Sequence, residues 1–152
     1  MPTLIVETVI DALQERCFDC ARDISLHCVT AAHTQEKAVA GVVAGKIGPG
    51  EWVTFEAVHF GIRQRLTAQV IEFDYPHRFT DETIQGAFQS MRHEHAFFAH
   101  PEGTLMRDTL TWVSPLGPLG VIADRLFLYS YLSRFLKRRN QQLKSHIENN
   151  QI

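Results

Sequence analysis

The side chains in this sequence that could do chemistry are concentrated between Met91 and Trp112, in the stretch MRHEHAFFAHPEGTLMRDTLTW. His100-Pro101-Glu102-Gly103 is a run of turn residues, so the stretch reads as two β-strands closed by that turn. Pairing outward places Phe97 opposite Met106, His95 opposite Asp108, His93 opposite Leu110 and Met91 opposite Trp112. Opposed residues share a sheet face and neighbours along a strand alternate. One face then carries Met91, His93, His95, Phe97, Met106, Asp108, Leu110 and Trp112. The other carries Arg92, Glu94, Ala96, Phe98, Leu105, Arg107, Thr109 and Thr111. A one-residue slip would scramble this sorting, so the clean division of residue types supports the register. The first face is apolar except for two histidines and a carboxylate. Buried polar groups are costly unless paired. The face therefore holds either a hydrogen-bonded His95–Asp108 pair within a core or a wet cavity that holds a ligand.

Three chemistries are open to these residues. His-x-His on one strand face can supply two metal ligands, with Asp108 as a third ligand or as an orienting group, and His59 or His27 completing the site. A histidine held by a carboxylate inside an apolar cavity can exchange protons near neutral pH. The reading that needs least is a structural pair or pocket lining without metal, and no cofactor is expected. Cys17-Phe18-Asp19-Cys20 has CxxC spacing, but no second pair accompanies it, so helix packing is preferred to redox or zinc chemistry. The glycines from Gly41 to Gly50 lack the Gly-Lys-Ser/Thr of a phosphate-binding loop. Ser114 stands before Pro115 with no Gly-x-Ser-x-Gly around it.

The elements that must position these groups follow from the patterning. Thr3 to Ile10 is β-rich and forms the first strand. Asp11 can cap a helix over 12–21, and a second short helix over 24–31 contains His27. The glycine-punctuated segment from Thr34 to Gly50 reads as a loop with a short strand around 43–46. Glu51 to His59 and Ile62 to Asp74 form a long hairpin closed at Phe60-Gly61. Pairing there puts Glu56 opposite Arg65 and Thr54 opposite Thr67. The other face holds Val53, Phe55, Ala57, His59, Ile62, Gln64, Leu66, Ala68 and Val70. Phe79 to Gln85 is a further strand with no clear inward set, and Gly86 marks a bend before the Met91 hairpin. From about Leu116 to His146 the pattern is helical, with Ile122, Leu126, Tyr129, Leu132, Leu136 and Leu143 as its apolar stripe. Residues 149–152 read as a frayed tail. The order is one strand, two short helices, about six antiparallel strands and a long helix, an α+β chain. A sheet with one apolar face needs a cover, which the last helix supplies.

Bulk properties narrow the function. The 152 residues fit a single domain spanning 1–148. With a formal net charge of −2, the chain has no global electrostatic case for nucleic acid. No apolar run approaches the ~20 residues of a membrane-spanning helix. The N-terminal MPTLIVETVI lacks the basic start and long apolar region of a signal peptide. Three cysteines, at 17, 20 and 28, are best read as free thiols in a reducing cytoplasm. Nothing in the composition specifies an oligomeric state.

The element order and a set of short motifs resemble the START-like superfamily, also called SRPBCC or Bet v 1-like, over nearly the whole chain. The motifs are Ala21-Arg22-Asp23-Ile24 with His27, Gly45 with Gly48, His59-Phe60-Gly61, Phe79-Thr80-Asp81-Glu82 and Gly86-Ala87-Phe88. His93-Glu94-His95, Met106 with Asp108, and Ser114-Pro115-Leu116-Gly117 followed by Ala123-Asp124 complete the set. The combination is similar to a bacterial branch of small, stand-alone ligand-binding SRPBCC domains. The resemblance implies the helix-grip fold, a curved antiparallel sheet wrapped around a long C-terminal helix with two short helices after the first strand. It is the fold of polyketide cyclases, plant hormone-binding proteins and lipid-transfer domains, and it implies a cleft between sheet and helix. The expected function is binding of a small hydrophobic molecule: a lipid, polyketide, isoprenoid or aromatic metabolite. Phe55, His59, Gln64, Leu66, Met91, His93, His95, Met106, Asp108 and Trp112 are the expected contacts. The alternative is a cyclase- or isomerase-type enzyme using His95 with Asp108. A protein-interaction module fits less well, because the outward faces are polar.

Overall fold

The computed structural model describes residues 2–114, 117–123 and 127–150. Among these residues are seven strands, β1 (Thr3–Ile10), β2 (Lys37–Gly41), β3 (Trp52–His59), β4 (Ile62–Asp74), β5 (Arg78–Gln85), β6 (Ser90–His100) and β7 (Gly103–Val113). Helices α1 (Gln14–Ala21) and α2 (Ile24–Thr30) follow β1, and α3 (Pro118–Ala123) and α4 (Tyr129–Asn149) follow β7. The strands form one antiparallel sheet in the order β1-β7-β6-β5-β4-β3-β2. The chain therefore returns to its first strand after a meander. Irregularities in the β2–β3 pairing and at two points of the β4–β5 pairing bend the sheet.

Both long hairpins have the expected register. Phe97 faces Met106, His95 faces Asp108, His93 faces Leu110 and Met91 faces Trp112. Thr54 faces Thr67 and Glu56 faces Arg65. The β3–β4 turn is the two-residue Phe60-Gly61, with φ of 54° and 73°. Two positive φ values suit the right-handed twist of the strands they join. Gly103 closes the β6–β7 turn against the end of β1, where a Cβ would lie 2.3 Å from the carbonyl oxygen of Ile10. On the outer face Glu56 is held by Arg63 at 2.8 Å and Arg65 at 3.0 Å.

Elsewhere local chemistry redirects the chain. Asp11 does not cap α1: Leu13 occupies the N-cap without a side-chain bond, and the Asp11 N–H donates to Glu148 at 2.9 Å. Asp23 caps α2, its carboxylate accepting from the Leu26 N–H at 3.1 Å. The strand expected near 43–46 lies earlier, as β2 at the sheet edge. Gly45 instead accepts from the Ile24 N–H at 2.8 Å, and the Ile47 N–H donates to Arg22 at 3.1 Å. Those hydrogen bonds tie the glycine-rich loop to the α1–α2 junction, with one isolated bridge between Asp23 and Lys46.

The C-terminal helical pattern is divided between α3 and α4. Leu136, Asn140, Leu143 and Ile147 are the buried residues of α4. Their spacing of four, three and four residues places them on one helix face. Ile122 and Tyr129 of the expected stripe are exposed. Pro115, Leu116, Asp124 and Leu126 lie outside the described residues, as do 151 and 152. The helix includes Asn149, and the Asn150 side chain donates to the His146 carbonyl at 2.8 Å. Leu143 and Ile147 join Ile10, Phe18, Phe79, Phe97 and Met106 in one core cluster. Leu136 joins Leu4, Val6, Leu110 and Trp112 in a second. Thus α4 lies directly over β1 and β7 at one side of the sheet. No described helix is long and apolar enough to cross a membrane.

Candidate functional site

Because α4 seals the β1–β7 side, the space between helix and sheet lies under β3 to β6. It is a cavity of about 430 Å³. Phe55, His59, Gln64 and Leu66 reach it from β3 and β4, and Met91, His93 and His95 from β6. Tyr131, Phe135 and Arg139 reach it from α4, and His27 and Glu36 from the segment around α2. Three of the ten expected contacts are not on this wall. Met106, Asp108 and Trp112 belong to β7, the strand that α4 covers, and all three are essentially fully buried. They lie behind the wall and support it.

The inward residues of β5 are Phe79, Asp81 and Thr83. Asp81 is the cross-strand partner of His93. It brings a second carboxylate to the histidines that the sequence reading did not anticipate. His93 Nε2 lies 2.7 Å from Asp108 Oδ1. His95 Nδ1 lies 3.2 Å from the same oxygen, and its Nε2 lies 2.9 Å from Asp81 Oδ2. The two imidazoles stack with centroids 3.8 Å apart, and Phe79 stacks on the outer side of His95 at 4.2 Å. From α4, the Asn140 side chain donates to Asp108 Oδ2 at 2.8 Å, and Arg139 stands 4.0 Å from Asp108 Oδ1. Asp108 thus bonds His93 more closely than the expected His95, because its Oδ1 is shared between both rings.

The other histidines are engaged elsewhere in the cavity. His27 bonds Glu36 at 3.1 Å and stacks on Phe55. His59 Nδ1 lies 2.5 Å from the Tyr131 hydroxyl. Among the described residues, the group with metal-ligating atoms in mutual reach is Asp81, His93 and His95, within 4.8 Å of one another. Neither His27, His59 nor Asp108 belongs to it. Cys17 and Cys20 are free and buried, and burial pushes the Cys17 thiol up to about 11 and raises Cys20 as well. A protonated, enclosed thiol is a packing group.

No family model matches the chain, and no curated protein matches it. Solved structures do match. TTHA0849 from Thermus thermophilus superposes with a TM-score of 0.79 at 20% identity, covering 96% of this chain and 97% of that one. Ara h 8.0201 gives 0.70 at 12% identity, covering 98% and 99%. The ginseng major latex-like protein 151 from Panax ginseng gives 0.65 at 16% identity, covering 95% and 96%. The chain has the Bet v 1-like helix-grip fold. At these identities the likeness is one of fold, and the expected order of one strand, two short helices, a meander and a closing helix is the observed one.

Within the helix grip the electrostatics of the cluster follow from its geometry. Burial works against ionisation of Asp108, but hydrogen bonds from His93 and His95 overcome it and hold the carboxyl far below its usual range. Asp81 is likewise lowered, with His95 outweighing burial. Burial and the neighbouring His95 push His93 down to about 4. Burial opposes the charged form of His95 too, yet its bonds to Asp108 and Asp81 raise it overall. An ionised Asp108 only accepts, so neutral His93 donates through Nε2 and keeps its lone pair on Nδ1. His95 has a carboxylate at each nitrogen, Asp81 Oδ2 at 2.9 Å from Nε2 and Asp108 Oδ1 at 3.2 Å from Nδ1.

Proposed function

We propose that the protein binds a small, mostly apolar molecule bearing a few polar atoms in the cavity beneath β3–β6. The observation that carries this reading is the cavity itself. Its volume of about 430 Å³ falls within the range of small-molecule sites. Phe55, Leu66, Met91 and Phe135 supply apolar wall, and His59, Gln64, His93 and Arg139 supply orienting groups. Methionine at position 91 makes part of that wall adaptable. Lipids, polyketides, isoprenoids and aromatic metabolites share the required chemistry. Met106, Asp108 and Trp112 act on such a ligand through the wall they support. Three free cysteines fit a reducing compartment, the cytoplasm.

The test is native mass spectrometry of the purified protein before and after denaturation and solvent extraction. The expected result is a co-purifying organic molecule that is lost in Leu66→Trp, a variant whose indole extends into the cavity. Retention of the same molecule at full occupancy in a folded Leu66→Trp protein would place its binding elsewhere.

A further inference from the structure

Building on the cavity's role as a binding site, we propose that Arg139 recognises a neutral carbonyl oxygen on the molecule bound there: a ketone, an ester or an amide. Arg139 lines the cavity with only 11% of its side chain exposed. A guanidinium keeps its charge and offers five N–H donors. Among the described residues none of them is hydrogen-bonded. The group's one partner is Asp108 Oδ1, an ion-pair contact at 4.0 Å. That oxygen is already taken by His93 at 2.7 Å and approached by His95 at 3.2 Å. The carboxylate's other oxygen accepts from Asn140 at 2.8 Å. Buried donors are ordinarily satisfied, and leaving them unpaired is costly. The Arg139 nitrogens are not among the sealed, unpartnered atoms, whereas Asn140 Oδ1, one residue on, is. A molecule in the cavity can therefore reach the guanidinium.

The charges on this wall decide which acceptor fits. Glu36 and Asp81 line the cavity, and Asp108 stands behind it. Burial opposes ionisation of all three, but their histidine partners overcome it and hold each carboxyl low. The guanidinium therefore lacks hydrogen bonds and not counter-charge. A ligand carboxylate would meet three like charges where screening is weak, and an ammonium would meet Arg139 itself. A hydroxyl has to find an acceptor for its own proton. A carbonyl brings no charge and no donor, and its two lone pairs match two N–H groups of the fork. Hydrogen bonds from a charged donor are also the stronger kind. The helix sets the ligand's direction. Tyr131, Phe135 and Arg139 follow one another at intervals of four residues and all line the cavity. They cover about 12 Å of helix at 1.5 Å per residue. Tyr131 meets the exposed Phe60 ring at one end of that row. The carbonyl is thus held at the Arg139 end, and the apolar body of the ligand runs along Phe135 toward Tyr131.

The experiment compares three probes of one skeleton on the full chain by equilibrium dialysis: 2-acetonaphthone, 2-ethylnaphthalene and 2-naphthoate. In the wild type the ketone is expected to bind more tightly than the carboxylate. Arg139→Met is expected to lower the ratio of ketone to hydrocarbon affinity by at least about tenfold, the loss of a charge-assisted hydrogen bond, while the hydrocarbon binds as before. The infrared carbonyl stretch of the bound ketone is expected at its hydrogen-bonded position in the wild type and at its hydrocarbon-solvent position in Arg139→Met. Should Arg139→Met fail to fold, Arg139→Lys takes its place. It keeps the cation but replaces the planar fork, so the stretch is expected to move from its wild-type position. An unchanged affinity ratio in folded Arg139→Met, an unshifted stretch in Arg139→Lys, or naphthoate as the tightest of the three would each overturn the assignment while leaving the cavity a binding site. Failure of even the hydrocarbon to bind, or binding undiminished in folded Leu66→Trp, would overturn the cavity reading and the role of Arg139 with it.

Discussion

Asp108 is the residue on which the cluster depends. It is 1% exposed and accepts from His93 and Asn140 while standing 3.2 Å from His95. Removing one partner of a buried charged network costs more than the network contributes, because the remaining donors stay buried and unpaired. Asp108→Ala is expected to lower unfolding free energy by about 3–5 kcal/mol, measured by urea denaturation. A loss below about 1 kcal/mol would show that its partners find water or other acceptors. The histidines predict a pH dependence. His93 titrates at about 4 when folded, against about 6.5 in an unfolded chain. The unfolded state binds more protons between those values, so this contribution is complete above pH ~6.5 and is lost as pH falls toward 4. His95 is raised, so its contribution is complete below ~6.5 and is lost as pH climbs through its folded value. The depressed Asp81, Asp108 and Glu36 add a further loss at lower pH, as they protonate. Stability is expected to peak near pH 6.5, and His93→Gln, which keeps a donor for Asp108, is expected to flatten the limb between 6.5 and 4. Urea midpoints across pH 3–9 measure both; an unchanged acid limb in the variant would assign that loss to the carboxylates alone.

At the scale of elements, legibility depended on how sharply polar and apolar residues alternate. The β6–β7 hairpin sorts most of its apolar residues onto one face and is closed by Pro-Glu-Gly, so its register could be derived, and with it the joint placement of His93, His95 and Asp108. β5 reads Arg-Phe-Thr-Asp-Glu-Thr-Ile-Gln, polar on both faces, and gave no sign that Asp81 points inward. That ambiguity hid the carboxylate that completes the cluster. Asn140 escaped for the opposite reason: a polar residue in an apolar helical stripe reads as a gap, yet here it is fully buried and bonds Asp108. β2 was hidden by the glycines that follow it, which carry the chain to the helices and not along the sheet. α4 holds the remaining side of the cavity in place, so its packing residues should matter more to stability than its basic ones. Ile147→Ala, at a fully buried position in the larger core cluster, is expected to cost about 2–5 kcal/mol. The exposed Lys137→Ala should change stability by less than about 0.5 kcal/mol. Comparable effects in the two variants, read from the same urea curves, would mean that the helix is not anchored through this face.

For the whole molecule, the arrangement of α4 decides where a ligand can go. The helix lies directly on β1 and β7, so that side is filled by Leu4, Trp112, Met106 and Leu143. The bent strands β3 to β6 curve away from it, and the cavity occupies the remaining space. Filling that space should therefore abolish binding without disturbing the packed side. Leu66 is half-buried on the cavity wall, and a tryptophan there extends into empty volume, so the usual overpacking strain is reduced. The probe is 1-anilinonaphthalene-8-sulfonate, an aromatic molecule whose fluorescence rises in apolar surroundings. A ligand at 100 times its Kd stabilises the native state by about 2.7 kcal/mol. In a chain of this size that corresponds to a rise in Tm of about 5–10 °C. Wild-type protein is expected to show this rise with saturable fluorescence, and Leu66→Trp to show neither while unfolding near the wild-type temperature. An equal rise in both proteins would locate the probe outside the cavity. A Leu66→Trp protein that melts far below the wild type would show instead that β3–β6 are packed more tightly against α4 than the cavity implies, and the volume beneath them would then be too small for an organic ligand.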